Sequence, residues 1–205
     1  MRIRNFPDMY MGANSYLVTD DNKNCVIIDA GVYSEGIIKD VKIDELTVHW
    51  LVLTHAHGDH IGGVLEYLRL FNGCKLVAGI DEKPMLNDPA LNMSGLIFGN
   101  PVSLEADRYV EDGDELTAGD LTLKFIATPG HTAGGVCILI ENALFTGDTL
   151  FQGSIGRTDF PGGSLTALRK SIKEKLFLLP DETNVYPGHM GTTTIGFEKK
   201  HNPFL

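Results

Sequence analysis

Potential metal ligands are concentrated in one short run of the chain, between residues 54 and 60. The run reads Thr54-His55-Ala56-His57-Gly58-Asp59-His60. Imidazole is the commonest metal ligand in proteins, and carboxylate is its usual companion at a hydrolytic metal. An extended His-x-His directs two imidazoles toward one point, whereas the adjacent Asp59 and His60 turn toward a second point nearby. Small Ala56 and Gly58 leave that turn uncrowded. The run therefore predicts a metal centre with two neighbouring sites.

Three further candidate ligands lie in glycine-containing turns downstream. His131 and His189 each follow a Pro-Gly pair, and Asp148 follows Gly147. Together with the first run they make five imidazoles and two carboxylates, which exceeds what one ion requires, so two divalent ions are predicted. The two oxygens of Asp148 could bridge ions about 3.5–4 Å apart, which would acidify a shared water into the hydroxide nucleophile. Asp59 is predicted to ligate metal and to handle protons during turnover.

Two other polar residues have sequence positions that suggest a part in this chemistry. Asp29 ends an apolar run before Gly31, where its carboxylate could orient a ligand histidine; a purely structural turn is the alternative. Arg157 lies in a glycine-bounded loop and is a candidate contact to an anionic substrate, with a solvated connector as the alternative. His49 and His201 stand apart from the motifs and are expected to be ordinary histidines.

The predicted ions would take the catalytic roles that a Ser/His/Asp triad and an oxyanion hole have in a serine hydrolase. They would polarise a substrate carbonyl and stabilise its oxyanion, and the chain has no Gly-x-Ser-x-Gly motif. A zinc ion that only holds the fold is an alternative, but structural zinc usually has four ligands and often thiolates. The candidate set contains no cysteine. Cys25, Cys74 and Cys137 have no metal-site spacing, so we expect reduced core residues.

The elements before and around the first run follow recognisable patterns. Apolar runs at 16–19 and 25–29 flank a turn and predict a hairpin, and a helix is expected over 34–46. The continuous apolar run at 50–54 is typical of a strand buried on both faces. The candidate ligands begin where this strand ends.

Helical and strand patterns recur through the rest of the chain. Helical spacing is found at 61–71 and again at 165–179, where Ser164 is the expected cap. Strand patterns occupy most of 115–146. Residues 81–107 contain several Pro and Gly and are expected to form an irregular flap over the site. The pattern predicts sheets covered by helices, an α/β class of fold.

Length and charge restrict the possible functions. The chain has 205 residues, of which 43% are hydrophobic, and this suffices for one domain over 1–205. A formal net charge of −10 would repel nucleic acid, whereas a cationic metal centre would still attract a small substrate. No long apolar run follows the first residues, so neither a signal peptide nor a membrane span is expected. We predict a cytoplasmic protein with no nucleic-acid or membrane partner.

The ordered motifs resemble those of the metallo-β-lactamase superfamily. They are Thr-His-x-His-x-Asp-His, Pro-Gly-His-Thr, Gly-Asp-Thr and Pro-Gly-His. The loop at 151–160 and the ending at 198–205 are similar to the short glyoxalase II-like branch, that of the hydroxyacylglutathione hydrolases. The resemblance implies a four-layer αββα sandwich.

The resemblance also implies a ligand set and an activity. The first ion would be held by His55, His57 and His131, the second by Asp59, His60 and His189, with Asp148 as the bridge. Aspartate rather than cysteine at the bridge resembles the thioesterases of the superfamily more than its β-lactamases. The expected reaction is cleavage of a thioester such as a hydroxyacylglutathione. Zinc is the expected metal, with iron or manganese as alternatives.

Two further points of resemblance bear on the substrate. Classical glyoxalase II has an additional C-terminal helical region with basic contacts to glutathione, and none is expected here. The segment 193–201, with Lys199 and Lys200, is a candidate replacement, and simple solvation of the lysines is the alternative.

Persulfide dioxygenases share the fold but use one iron held by two histidines and one aspartate. In this chain the iron triad of a dioxygenase would be His57, His131 and Asp148, a facial arrangement suited to iron and oxygen. Retention of the complete second ligand set favours the hydrolase. A mononuclear-iron oxidoreductase is therefore the main alternative to a hydrolase.

Overall fold

The computed structural model describes residues 1–205, and its fourteen strands form two six-stranded sheets and a two-stranded ribbon. In chain order the strands are β1 (Arg2–Pro7), β2 (Asn14–Thr19), β3 (Asn24–Ile28), β4 (Thr47–Val52), β5 (Lys75–Gly79), β6 (Arg108–Val110), β7 (Glu115–Ala118), β8 (Leu121–Ala127), β9 (Val136–Ile140), β10 (Ala143–Gly147), β11 (Leu150–Phe151), β12 (Ser154–Ile155), β13 (Asn184–Pro187) and β14 (Thr193–Thr194). The ribbon is formed by β11 and β12.

Seven α-helices lie in the connections between the strands. They are α1 (Glu35–Ile43), α2 (Gly58–Ile61), α3 (Val64–Leu70), α4 (Lys83–Asn87), α5 (Ser94–Phe98), α6 (Leu165–Glu174) and α7 (Ile195–His201). Single 3₁₀ turns occupy Ile80–Glu82 and Leu176–Leu178. The predicted cap of α6 is confirmed, since the Ser164 side chain accepts a hydrogen bond from the Ala167 N–H. None of these helices has the length and apolar character needed to cross a membrane.

The first sheet brings the candidate ligand run to one of its edges. Its strands follow chain order from β1 to β6, antiparallel up to β3 and parallel from β3 to β6. Parallel strands are usually covered on both faces, and Leu51 and Val52 of β4 are fully buried. The run at 55–60 follows the end of β4, so it leaves the sheet at the edge where β3 and β5 also end.

The second sheet brings two more candidate ligands to one edge. Its strand order is β14-β13-β10-β9-β8-β7, and only β10 and β13 are parallel neighbours. Gly147 of β10 is paired with Pro187 of β13. Because the two strands run in the same direction, Asp148 and His189 leave the sheet at the same edge.

An apolar layer to which both sheets contribute lies between them. Val26 and Ile28 of the first sheet and Phe125 and Ile138 of the second are fully buried in it. Helices α1 and α3 pack on the outer face of the first sheet, and α6 packs on the outer face of the second. The order helix, sheet, sheet, helix confirms the predicted αββα sandwich.

Two local predictions differ from the structure. The helix expected over 61–71 is found as α3 but begins only at Val64, because the Gly63 N–H donates to the Ala30 carbonyl at 2.8 Å and Ile61 instead ends the separate short helix α2. The segment 81–107, expected to be irregular, contains α4 and α5. These helices have five residues each, which is too short for a helical period to be read from sequence.

Candidate metal centre

Four connections from the two sheets meet at one end of the sandwich. The run at 55–60 follows β4, His131 follows β8, Asp148 follows β10 and His189 follows β13. The structure thereby brings together all seven of the ligands that the sequence predicts. His49 and His201 lie outside the cluster, and the His49 ring is bonded to Asn24.

Ligand atoms of the cluster fall into three overlapping groups, within each of which all of the atoms lie within 4.8 Å of one another. The groups are His55, His57 and His131; His55, His60 and Asp148; and Asp59, His60 and His189. The first and third are the two triads that the resemblance implies. His55 belongs to two groups, so it lies near both triads.

Asp148 lies between the two triads. Its Oδ1 is 3.4 Å from His60 Nε2, and its Oδ2 is 3.5 Å from His131 Nε2 and 3.6 Å from His189 Nε2. One carboxylate thus faces histidines of both triads. This is the position that a bridging ligand would take.

Several buried polar atoms of the cluster have no hydrogen-bond partner. They are the Nε2 atoms of His55, His57 and His60 and the Oδ1 atom of Asp148. Buried polar atoms in proteins are nearly always hydrogen-bonded, so a group of exceptions in one place requires an explanation. His57 Nδ1 also lies 2.9 Å from His131 Nε2, where two nitrogen lone pairs would repel each other unless one nitrogen carries a proton or both bind the same cation. This donor set fits divalent ions.

The protonation behaviour of the first triad suits metal binding. Burial and, to a lesser extent, the nearby His131 lower the pKa of His57 to about 4. Burial also holds the pKa of His55 and of His131 below the ordinary value. A histidine binds metal in its neutral form, which these three rings favour at neutral pH.

The second triad is dominated by ion pairing. Burial opposes protonation of His60, but the carboxylates of Asp29, Asp59 and Asp148 outweigh it and raise the pKa of His60. Burial likewise opposes ionisation of Asp59, but His60 and His189 hold the pKa of Asp59 below its usual range. Negative charge at this point therefore attracts a cation.

Asp29 contacts one of the predicted ligands, as the sequence suggests. Its Oδ2 lies 2.8 Å from His60 Nδ1 and accepts a hydrogen bond from the Thr54 hydroxyl at 2.8 Å. Its Oδ1 accepts a hydrogen bond from the Thr54 N–H. With Nδ1 engaged in this way, Nε2 of His60 faces the centre of the cluster.

Sequence reasoning missed a buried carboxylate that holds two ligand loops together. Glu82 Oε2 accepts a hydrogen bond from the Ala56 N–H, and Oε1 accepts one from the Gly134 N–H, at 2.9 and 3.0 Å. Ala56 lies between two candidate ligands and Gly134 lies just after His131. The only sequence signal is a glutamate in a Pro-rich segment, which does not indicate burial.

A cleft of about 580 Å³ opens above the cluster. Its floor is formed by His57, Asp59, His131, Asp148 and His189. Its walls are mainly apolar, and they are formed by Met11, Met93, Leu96, Ile97, Phe151, Arg157, Phe160 and Met190. The helix α5 of the expected flap contributes Leu96 and Ile97 to this wall.

Arg157 lines the cleft, but its charge is already paired. Its Nε and one terminal nitrogen donate to the two oxygens of Asp159, each at 2.7 Å. Its guanidinium lies 3.7 Å from the centre of the Phe160 ring. The Arg157 backbone carbonyl accepts a hydrogen bond from His131 Nδ1 at 2.8 Å, which orients that ring.

Comparison with known families decides the relationship of the chain. A family model described as the metallo-β-lactamase superfamily matches residues 10–189. The chain belongs to the metallo-β-lactamase superfamily. Membership of this superfamily indicates a metal-dependent hydrolase and agrees with the cluster of histidines and aspartates.

Two relatives from within this superfamily match the full length of the chain. The probable metallo-hydrolase YqgX of Bacillus subtilis is 38% identical, with 100% of this chain and 98% of the relative covered. The hydroxyacylglutathione hydrolase GloC of Haemophilus influenzae is 37% identical, with 100% and 98% covered. The predicted resemblance to metallo-β-lactamase and glyoxalase II-like proteins is thus confirmed at the level of similarity.

Solved structures from the superfamily show the same fold. The BLEG-1 B3 metallo-beta-lactamase is 40% identical with a TM-score of 0.92, and 100% of this chain and 99% of the other are covered. ETHE1 from Myxococcus xanthus is 33% identical with a TM-score of 0.78, covering 99% and 84%. TTHA1623, described in a di-iron-bound form, is 32% identical with a TM-score of 0.85, covering 98% and 100%.

Proposed function

We propose that this member of the superfamily is a binuclear metal-dependent hydrolase that cleaves thioesters. The observation that carries the proposal is the position of Asp148, whose two oxygens lie within 3.4–3.6 Å of histidines from both triads. The 37% identity to a hydroxyacylglutathione hydrolase over the full chain supports the thioester as the substrate bond.

The ligand assignment follows the geometry of the cluster. His55, His57 and His131 would hold one ion, Asp59, His60 and His189 would hold the other, and Asp148 would contact both. Divalent ions held there would supply a Lewis acid for the substrate carbonyl and a water that ionises near neutral pH. Zinc is the metal we propose, and its identity is an outcome of the experiment below.

The side chains of the cleft favour a substrate whose leaving group can depart without being protonated. Asp59 faces both His189 and the cleft, where it can accept a proton. Outside the cluster, the cleft is lined by apolar side chains and by Arg157, whose guanidinium does not give up its proton. A thiol with a pKa of about 8.5 can leave as the thiolate without a general acid, whereas an amide nitrogen cannot. A thioester is therefore the substrate bond that these side chains suit.

The test combines metal analysis with an assay of S-lactoylglutathione and simple acyl thioesters. We expect two metal equivalents per chain, hydrolysis that a chelator abolishes, and recovery after zinc, manganese or iron is restored. Hydrolysis that persists after complete metal removal would contradict the proposal. So would a metal-loaded protein with no activity toward any thioester.

Two other activities are supported by particular observations. Similarity to the BLEG-1 B3 metallo-beta-lactamase supports β-lactam hydrolysis, which a chromogenic cephalosporin would reveal. Adjacency of His57, His131 and Asp148 supports a mononuclear-iron oxidoreductase. The latter would bind one iron and consume oxygen with glutathione persulfide, whereas the hydrolase would do neither.

A further inference from the structure

Three of the six methionines of the chain line the cleft above the metal centre. They come from separate segments: Met11 from the β1–β2 turn, Met93 from the residue before α5, and Met190 from the β13–β14 connection. The methionine side chain is flexible and polarisable, so it packs against apolar groups of varied shape. Convergence of three such side chains suits an apolar ligand better than a polar one.

Two of these methionines occupy backbone positions that usually select glycine or asparagine. Met93 and Met190 have φ angles of +62° and +67°. Strained residues of this kind tend to occur at ligand sites. Met190 is 60% exposed and Leu96 is 80% exposed, so core packing does not account for these side chains. A ligand in the cleft would remove this apolar surface from water.

The cleft offers little to a charged substrate tail. Arg157 is its only lysine or arginine, and Asp159 compensates the charge of Arg157. Lys199, a candidate glutathione contact from the sequence, is instead paired with Asp181 at 2.7 Å. Neither Lys199 nor Lys200 lines the cleft. The two carboxylates of a glutathione carrier therefore find no free cation among the side chains of the cleft wall.

We infer that the cleft wall binds an apolar acyl chain, and that the preferred substrates are apolar acyl thioesters of an uncharged thiol. This inference rests on the proposed thioesterase function and narrows its substrate class. The carbonyl would lie over the cluster on the cleft floor, and the acyl chain would lie along Met93, Met190 and Leu96.

The first experiment compares acyl chains on one neutral carrier. We would measure kcat/KM for the acetyl, butanoyl, hexanoyl and lactoyl thioesters of N-acetylcysteamine, with S-lactoylglutathione alongside. Burial of one methylene contributes up to about fourfold to kcat/KM, so hexanoyl should exceed both acetyl and lactoyl clearly. A preference for S-lactoylglutathione over the hexanoyl thioester would overturn the inference.

Variants test whether the methionines cause the dependence on chain length. Met93→Gly and Met190→Gly remove the side chains and suit the left-handed backbone, so both variants should fold and bind metal normally. Each should flatten the rise in kcat/KM from acetyl to hexanoyl. Glu141→Gly is the matched control, because Glu141 is exposed and also has a positive φ, +53°. It lies in the β9–β10 turn and does not line the cleft. Unchanged dependence in both methionine variants would contradict the inference.

A binding measurement separates this inference from the proposed function. S-hexyl-N-acetylcysteamine is a thioether that cannot be hydrolysed, and calorimetry should show that it binds more tightly than S-hexylglutathione. If it binds in this way while no thioester is hydrolysed, the proposed function fails and the apolar site stands. If thioesters are hydrolysed but the thioether does not bind, the inference about the cleft fails alone.

Discussion

The buried carboxylate of Glu82 accepts a hydrogen bond from the backbone N–H of Ala56, at 2.9 Å. Ala56 lies between His55 and His57, so this bond fixes the backbone that carries two candidate ligands. The other oxygen of Glu82 holds Gly134, close to His131. One side chain thus sets the distance between two loops of the first triad.

Glu82→Gln should therefore weaken the positioning of the loops that carry His55, His57 and His131, although Glu82 itself is not a candidate ligand. The amide has only one oxygen, so either Ala56 or Gly134 loses its acceptor, which costs about 1–3 kcal/mol of stability. We expect a lower midpoint in urea denaturation and weaker binding of metal. Glu105→Gln is the control: it removes only an exposed ion pair with Lys83, so it should leave metal binding unchanged and lower the denaturation midpoint less than Glu82→Gln does. Metal affinity equal to that of the unmodified protein would contradict this role for Glu82.

Asp29→Asn should weaken metal binding by the second triad. The side-chain oxygen can still accept from the Thr54 N–H, but the amide nitrogen then faces His60 Nδ1. His60 would have to carry its proton on Nε2, the nitrogen that faces the cluster. We expect metal affinity to fall about 10- to 100-fold.

Equilibrium dialysis with metal analysis would measure the effect of Asp29→Asn. Asp20→Asn is the comparison, because Asp20 also accepts backbone hydrogen bonds but lies in the β2–β3 turn. If both variants bind metal equally well, Asp29 has only the structural role of a turn.

Asp59→Asn distinguishes a catalytic centre from a structural zinc site. A catalytic role predicts a folded protein with kcat lowered about 100-fold or more, since a proton acceptor and a metal contact are both lost. A purely structural role predicts loss of folding. Circular dichroism would report folding and thioester hydrolysis would report activity, with Asp21→Asn in an exposed turn as the control. Full activity in Asp59→Asn would remove this residue from the mechanism.

The Arg157–Asp159 pair has a defined pH dependence. The hydrogen bond from Arg157 lowers the pKa of Asp159 from 3.8 to about 2. Since the pKa is lower in the folded protein, the pair favours folding above pH 3.8, and this contribution is lost as the pH falls toward 2. Titration followed by NMR should show Asp159 ionising near 2, and Arg157→Ala should return its pKa toward 3.8. An Asp159 pKa that does not respond to Arg157→Ala would show that the pair does not form in solution.

Most of the elements could be predicted because their sequence signals are local. The apolar run at 50–54 predicted a buried strand, and β4 occupies Thr47–Val52. The stripe at 165–179 with its Ser164 cap predicted α6 correctly, although the helix ends at Glu174 before a 3₁₀ turn. The strand β1 was not predicted, since it lies half-exposed at a sheet edge without a clear alternation of apolar residues.

The partners of Glu82 could not be predicted. Its hydrogen bonds reach Ala56 and Gly134, which lie 26 and 52 residues away along the chain. A single glutamate among prolines has the same sequence appearance whether it is solvated or buried. Its burial depends on how the connection after β5 packs against two loops, and no periodic pattern encodes that packing.

The sequence by itself determined the chemistry of the donors, because residue type and the spacing of His-x-His-x-Asp-His are properties of adjacent residues. Apolar periods within each element also determined that sheets are covered by helices, whereas the four-layer αββα order was expected only from the family resemblance. Only the tertiary structure decided that His55 lies near both triads, that Asp148 lies between them, and that Met11, Met93 and Met190 share one cleft. These relations depend on the parallel pairing of β10 with β13 and on contacts between distant segments, because side chains far apart in sequence meet only after the sheets have packed.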